Sequence, residues 1–190
     1  MSSDTFELAE PELTAEDLLV VEDPHFGPET VAIVTGAASG IGRATAVALA
    51  ANGLTVVGAD IDEDGLDGTV DLAADVGVDG TVRPLPTDLT DDGDVEAMVE
   101  TAAETGALRY VANIAGMQHI AAIAAFPMER YDLLLDIMLR SPFKMAQEAI
   151  PHIEATDDGV GAIANMSSVH GHYATTDKAA YITAKHGLAG

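Results

Sequence analysis

Tyr181 and Lys185 are the pair of side chains whose types and spacing most directly suggest proton chemistry. They lie four residues apart in a stretch, residues 178–188, that the sequence predicts to be helical, so both side chains would emerge from one face about one turn apart. A phenol is too weak an acid to ionise at neutral pH by itself, and a nearby ammonium favours the phenolate. The pair could therefore exchange a proton with a substrate, although the same spacing also occurs on solvated helices without a catalytic role.

Gly36, Gly40 and Gly42 form a second cluster with chemical meaning. They lie between an apolar run at 31–35, typical of a strand buried on both faces, and an Ala-rich helix predicted over 41–51. Three such glycines permit a tight turn, a close approach of the backbone to a diphosphate, and close packing of helix on strand, while free N–H groups at the helix start bind the phosphates. This context favours a dinucleotide site; an ordinary tight turn is the alternative.

Asp60 follows the next predicted strand, 24 residues after Gly36. An acid at an offset of about 20 residues accepts hydrogen bonds from the adenosine ribose and repels a 2′-phosphate, so Asp60 favours NAD over NADP. The chain is rich in acids, and Asp62 is an alternative two residues further on.

The remaining elements must position these residues. Strands are predicted over residues 31–35, 54–59, 81–86, 109–115 and 160–168. Helices are predicted over residues 41–51, 94–105, 128–152 with a break at or near Pro142, and 178–188, and a poorly marked helix within 64–76. This alternation predicts an α/β fold with a doubly wound parallel sheet, the Rossmann fold, in which ligands bind at the carboxyl ends of the strands.

Residues 1–29 differ from the rest of the chain. They carry nine acids and no Lys or Arg, and three prolines interrupt them. We predict an acidic N-terminal extension with one short helix near 14–21, followed by a nucleotide-binding domain over 30–190.

The composition excludes several classes of function. The 190 residues include 32 Asp and Glu against 8 Lys and Arg, a net charge of −24, and no cysteine. Such a charge repels nucleic acids and anionic membranes, and the lack of cysteine excludes disulfides and thiolate metal sites. No apolar stretch is long enough to span a bilayer, and no secretory signal is evident. We therefore expect a cytoplasmic protein with an acidic, salt-adapted surface and no nucleic-acid or membrane partner.

Four motifs in order resemble the short-chain dehydrogenase/reductase family: the turn at 35–42, the stretch 113–116, Ser168, and the stretch 181–185. The resemblance implies NAD as cofactor, Tyr181 as the proton donor or acceptor, Lys185 as its electrostatic partner and a ligand of the nicotinamide ribose, and Ser168 as a hydrogen-bond donor to the substrate oxygen. It also implies a homo-oligomer, usually a tetramer. The cofactor-binding residues that the motifs imply are Gly36, Ser39, Gly40, Ile41, Gly42, Asp60, Asp88, Asn113, Ala115, Gly116, Tyr181 and Lys185.

Shorter strings at 116–119 and 168–171 resemble the branch of this family that acts on D-3-hydroxybutyrate. In that interpretation the substrate is a small hydroxy acid, and its carboxylate is bound by Gln118, His170 and Lys178, beside Ser168. Another alcohol, sugar or acyl carbonyl as substrate, or a dinucleotide-binding module without turnover, are the alternatives. A metal site at the histidines is disfavoured because they lack an i,i+4 pair and an acid partner.

The sequence departs from the family pattern in two places. Met138 stands where the family usually has an Asn that kinks the helix and holds a water of the proton relay, and a thioether cannot replace those hydrogen bonds. The sequence also stops at Gly190, before the strands and substrate lid of the family, so we expect a fold truncated at the C-terminus with an uncovered edge at the fifth strand.

Overall fold

A computed structural model describes residues 13–190 and contains one sheet of five parallel strands. Its spatial order is β3-β2-β1-β4-β5. The strands are β1 (Thr30–Thr35), β2 (Thr55–Asp60), β3 (Thr81–Pro86), β4 (Ala107–Asn113) and β5 (Ala162–Asn165). This topology confirms the predicted doubly wound α/β fold, since the order reverses next to β1 and opens a crevice at the carboxyl ends of the strands.

Helices cover both faces of this sheet. They are α1 (Gly40–Ala51), α2 (Glu63–Val76), α3 (Asp92–Thr105), α4 (Met128–Leu135), α5 (Ser141–Glu154) and α6 (Ala179–Ala189). One apolar cluster joins the sheet to α3 and α5, and a second joins it to α1 and α2. All six residues of β1 are buried, as its continuous apolar run predicts for a central parallel strand. Among the described residues, no helix is both long and apolar enough to cross a membrane.

The long helix predicted over 128–152 is interrupted immediately before Pro142. A π-helical turn, Asp136–Arg140, separates α4 from α5, and the Ser141 N–H bonds to the Asp136 carbonyl. In a regular helix the ring of Pro142 would crowd the carbonyl of Met138, four residues earlier, and the wider turn accommodates it. The break therefore has the position that the proline predicts and a form that the sequence pattern does not reveal.

Element boundaries differ by a few residues from those predicted. Strand β5 is four residues long instead of nine, and α3 begins at Asp92 because the Asp91 carboxylate caps it by accepting from the N–H groups of Gly93 (2.7 Å) and Asp94 (3.2 Å). The weakly marked helix within 64–76 is a full helix, α2, capped in the same way by Asp62 (3.1 Å from the Gly65 N–H). Local caps set these ends rather than apolar periodicity.

The segment 13–29 lies against the amino ends of the strands. The short helix predicted near 14–21 is a single 3-10 turn, Ala15–Asp17, and the first 12 residues of the predicted extension lie outside the described part of the chain. Phe26 stacks edge-on against Tyr110 of β4 with ring centroids 5.7 Å apart. The Val21 N–H donates to the Asn52 side-chain oxygen at 2.6 Å, so this segment is attached to the domain by packing and by hydrogen bonds.

Candidate active site

A cleft of about 1000 Å³ opens at the carboxyl ends of the strands, where the fold predicts a ligand. Most of the residues that the sequence singles out line it. They are Gly36, Ser39, Gly40, Ile41, Gly42, Asp60, Asp88, Ala115, Gly116, Gln118, Tyr181 and Lys185.

Four of the predicted site residues do not line this cleft: Asn113, Ser168, His170 and Lys178. Asn113 is buried at the end of β4, and its amide donates to the Asn165 side-chain oxygen at 2.8 Å, which ties β4 to β5. Lys178 is half-buried at the residue that precedes α6. The structure thus gathers the predicted cofactor residues more completely than the predicted substrate residues.

The glycine turn between β1 and α1 has geometry that excludes side chains. A Cβ on Gly42 would lie 1.9 Å from the Gly36 carbonyl oxygen, and Gly36 itself has φ +72° with the Ala115 Cα 3.0 Å from its own ideal Cβ. The Thr35 hydroxyl accepts from the N–H groups of Ile114 (3.0 Å) and Ala115 (3.1 Å) and so joins β1 to the segment after β4. Gly36, Gly42 and Ala115 all line the cleft, and the lack of side chains at the two glycines would let a diphosphate approach the backbone closely.

Asp60 ends β2 on the cleft and its carboxylate points back to the glycine turn. It accepts from the Ala38 N–H at 3.2 Å and from the Asp62 N–H at 3.2 Å. Two backbone donors fix the orientation of the carboxylate, and the neighbouring Asp62 caps α2 instead of lining the cleft. Of the two acids considered, Asp60 is the one placed to contact a ligand.

Tyr181 and Lys185 face the cleft from α6. The Lys185 side chain is buried, with 3% of the residue exposed, and its ammonium nitrogen donates to the Met166 carbonyl at 2.5 Å. The same nitrogen is 5.7 Å from the centre of the Tyr181 ring. Burial lowers the pKa of Lys185 because the charged form loses hydration. A buried amine beside a phenol at the edge of a cleft is an arrangement suited to proton transfer.

Ser168 and His170 belong to the segment between β5 and α6. The Ser168 hydroxyl oxygen accepts from the His170 N–H at 3.2 Å and caps the 3-10 turn Val169–Gly171, and the neighbouring Ser167 lines the cleft. The His170 ring packs edge-on against the Tyr181 ring at 5.9 Å, and its Nδ1 lies 3.2 Å from the Tyr173 carbonyl oxygen. His170 is therefore adjacent to the phenol, and neither His170 nor Ser168 lines the cleft.

Several lining residues were not predicted. They come from the ends of β2 and β3 and from the α4 region: Ile61, Thr87, Leu89, Thr90, Arg130, Leu133 and Ile137. The spacing of Arg130, Leu133 and Ile137 along one helix face is a signal that the sequence does contain. Arg130 and Lys185 are the two Arg or Lys side chains among the described lining residues. No carboxylate of the described residues lies within 4 Å of Arg130.

Met138 supports the cleft from behind. It is fully buried in an apolar cluster with Leu134, Ala180 and Ala184, which joins the π-helical region to α6. A Cβ on Gly116 would lie 3.3 Å from its sulfur. In the described part of the chain, no three His, Asp or Glu side chains are placed to hold a metal ion together.

The strand order, the glycine turn and the cleft define a dinucleotide-binding α/β protein of the Rossmann type. Residues 30–190 match the short chain dehydrogenase family. The chain belongs to that family.

Curated relatives include the D-beta-hydroxybutyrate dehydrogenases of Cupriavidus necator and Rhizobium meliloti. They are 37% and 35% identical to this chain over 84% of its length and over 60% and 61% of their own. A 3-oxoacyl-(acyl-carrier-protein) reductase of Thermotoga maritima is 32% identical over 84% of this chain and 64% of its own length. The chain thus spans about three fifths of the length of the relatives it matches, and the resemblance to the hydroxybutyrate branch is confirmed at this level of identity.

Proposed function

We propose that this chain carries the cofactor site and the proton-transfer residues of an NAD-dependent dehydrogenase that interconverts a small hydroxy acid, such as 3-hydroxybutyrate, with its keto acid. The observation that carries the proposal is the convergence of Tyr181 and the buried Lys185 with the glycine turn and Asp60 on one cleft. NAD, when bound, accepts the hydride in such a reaction. The chain's own residues have to bind and orient the cofactor and the substrate and to exchange the proton.

In this proposal Tyr181 transfers the proton to or from the substrate oxygen. Lys185, less than 6 Å from the ring centre, stabilises the phenolate by its charge and would also bind the ribose next to the nicotinamide. The Ser168 oxygen accepts from the His170 N–H, which leaves its own proton free to donate to the substrate oxygen. Donation from Ser168 requires its hydroxyl to turn toward the cleft, since Ser167 lines the cleft in this arrangement.

Three observations support an anionic substrate. Gln118 lines the cleft, His170 packs against the Tyr181 ring, and Lys178 directly precedes α6, the helix that carries Tyr181. Arg130 adds a second cation without a carboxylate partner among the described residues. A carboxylate would be bound by such groups. Two of the relatives carry a name that specifies a hydroxybutyrate.

The preference for NAD rests on Asp60. Its carboxylate, fixed by the Ala38 N–H, would accept from the adenosine ribose hydroxyls and repel a 2′-phosphate. We also propose a homo-oligomer; the exposed Phe143 on α5, with 76% of its surface accessible, supports a contact there. The division into an extension over 1–29 and a domain over 30–190 is supported by the family match, which begins at residue 30. A cytoplasmic, salt-adapted protein remains an expectation from the charge of −24.

A second candidate is a short-chain dehydrogenase of the same chemistry with another alcohol or carbonyl substrate. The names of other relatives favour it, since they include a D-threitol dehydrogenase at 35% identity and a cyclohexanol dehydrogenase at 33%. A panel of hydroxy acids, polyols and cyclic alcohols separates the two candidates.

The test is NADH formation by the purified chain in molar KCl with D-3-hydroxybutyrate, with NADP in a parallel assay. Tyr181→Phe removes the phenol and should lower turnover by about 10²-fold to 10⁴-fold, with NAD affinity retained. Tyr173→Phe is the matched control, because Tyr173 is 70% exposed and lies outside the cleft, so the loss of its hydroxyl should leave turnover unchanged. Turnover that survives Tyr181→Phe overturns the proposal, and NAD-induced thermal stabilisation without turnover favours a binding module.

A further inference from the structure

Arg43 is a basic residue that the proposed reaction does not use. It follows Gly42 in α1, is half-buried, and turns its guanidinium toward α2 instead of toward the cleft. The guanidinium donates to the Thr69 hydroxyl (3.0 Å), to the Gly65 carbonyl (3.1 Å) and to the Ala38 carbonyl. No carboxylate of residues 13–190 lies within 4 Å of it, in a chain with 32 acids. Arg43 therefore donates to two backbone carbonyls and one hydroxyl, although a carboxylate would be the usual partner of a guanidinium.

The peptide unit between Ala37 and Ala38 is held at both ends. Its carbonyl accepts from the hydroxyl of Thr69 at 2.7 Å, and its N–H donates to Asp60 at 3.2 Å. Thr69 is fully buried within α2, and Gly65 lets that helix approach so closely that a Cβ there would lie 2.7 Å from the Ala38 Cβ. The orientation of the first half of the turn is thus fixed by α2 and β2 together.

Arg43 fixes the next peptide unit, between Ala38 and Ser39. In a trans peptide the carbonyl and the N–H point in opposite directions, and no peptide bond of the described residues is cis. Because Arg43 holds the Ala38 carbonyl toward α2, the Ser39 N–H points away from α2, on the side where Ser39, Gly40 and Ile41 line the cleft.

We propose that Arg43 is a positioning residue for the cofactor diphosphate, which acts with Thr69 by aiming the backbone N–H groups that start α1. It does not contact the cofactor, because it is absent from the lining of the cleft. This inference rests on the proposed function, in which a dinucleotide occupies that cleft. In this arrangement α2 is part of the cofactor site, although only the turn would touch the ligand.

The experiment measures the dissociation constants of ADP and adenosine for the wild-type chain, Arg43→Met, Arg43→Lys and Thr69→Val. ADP carries the diphosphate and adenosine does not. Arg43→Met should weaken ADP binding at least about tenfold, because charge-assisted hydrogen bonds are lost. Thr69→Val should weaken it severalfold and Arg43→Lys should restore part of the loss, while adenosine binding stays within about twofold in all of them.

Thr69→Val separates positioning from direct attraction because it changes no charge. If Arg43 acts only through its positive field, this variant binds ADP like the wild type and the inference fails. Thr101→Val is the matched control: Thr101 makes the same type of bond, to the carbonyl four residues earlier (2.7 Å), on the exposed face of α3. It should leave both dissociation constants unchanged.

Thermal midpoints of the ligand-free variants, recorded beside the binding data, identify any variant that loses its fold. Thr69→Val and Arg43→Lys keep most of the packing and decide the question if Arg43→Met unfolds. A wild-type chain that binds neither ADP nor NAD overturns the proposed function and this inference together. A wild type that binds both, with Arg43 and Thr69 variants of equal ADP affinity, overturns this inference alone.

Discussion

The middle of the sheet and one of its edges are built differently, although both contribute to the same cleft. At β1 every residue is buried and the strand lies between two others, whereas three of the four residues of β5 are exposed and the strand forms the edge of the sheet. The glycine turn follows β1 and is enclosed by α1 and α2. The segment with Ser168 follows β5, and α6 packs through Ala180 and Ala184 on the fully buried Leu134 and Met138.

Under the proposed function, we expect this difference to separate the residues that determine cofactor affinity from those that determine turnover. The side of the cleft next to β1, the proposed cofactor end, is packed so closely at Gly36 and Gly42 that a Cβ would not fit at Gly42, and hydrogen bonds around Ala38 fix it further. The side next to α6, the proposed proton-transfer end, depends on Tyr181 and Lys185 of that helix and on a small apolar cluster. Substitutions at the cofactor end should therefore abolish folding or cofactor binding. Substitutions at the proton-transfer end should change stability moderately and lower turnover strongly.

Gly42→Ala should have the largest effect of the substitutions considered. The added methyl would lie 1.9 Å from the Gly36 carbonyl oxygen, and neither backbone can move without displacing β1 or α1. We expect a loss of about 3 kcal/mol or more in the free energy of unfolding. Urea unfolding followed by circular dichroism measures it, together with the loss of NAD binding.

Gly68→Ala is the control for this prediction. Gly68 lies inside α2, and a Cβ there would make an ordinary contact, 3.5 Å from the Arg43 guanidinium. Since alanine is the better helix former, the free energy of unfolding of this variant should rise by up to about 1 kcal/mol. Equal stability of the two alanine variants would mean that the turn is not the rigid part of the molecule.

The turn at the cofactor end could be predicted because its constraints are local. An apolar run, three glycines and an alanine-rich helix follow one another within 21 residues, from Val31 to Ala51, and each has one structural interpretation. Asp60 could be placed for the same reason, as it ends the adjacent strand. The family resemblance added the order of the motifs, and the family match confirms it.

The proton-transfer end was less predictable because long-range packing decides it. No local pattern tells which of Ser167 and Ser168 faces the cleft, since that depends on the 3-10 turn that follows. Arg43 could not be assigned either, because two of its three partners lie on α2, more than 20 residues further along the chain. The π-helical turn depends on Pro142 and on packing against α6 together.

Met138→Asn tests the proton-transfer end, and its effect on the free energy of unfolding should be intermediate. The amide would enter a site with apolar neighbours, where its two polar atoms find no described partner, so we expect a cost of about 2 kcal/mol. Met138→Leu, which keeps the packing, should cost less than about 1.5 kcal/mol. An Asn variant as stable as the wild type would show that polar groups or water reach this site, and a turnover unchanged by Asn would show that the position does not limit the reaction.

Lys185→Met and Lys144→Met should have the smallest effects on the free energy of unfolding, and the two effects should have opposite signs. Burial holds the pKa of Lys185 below its usual value, whereas hydrogen bonds to Glu148 and Glu96 hold the pKa of Lys144 above it. Below its folded pKa, Lys185 is charged in both states and the full cost of burying the ammonium is present. As the pH rises through that pKa, the unfolded state binds more protons and the cost disappears.

Removing Lys185 should therefore stabilise the fold at neutral pH, and the gain should shrink as the pH approaches 10.5, the value for the unfolded chain. Lys144 contributes stability that is complete below 10.5 and is lost as the pH rises through its raised folded pKa, so Lys144→Met should be destabilising at neutral pH and neutral in strong alkali. Urea midpoints of the three proteins between pH 7 and pH 11 measure both trends. A Lys185→Met variant that is less stable than the wild type at pH 7 would mean that the bond from Lys185 to the Met166 carbonyl outweighs desolvation, and that Lys185 also helps to hold the segment after β5 in place.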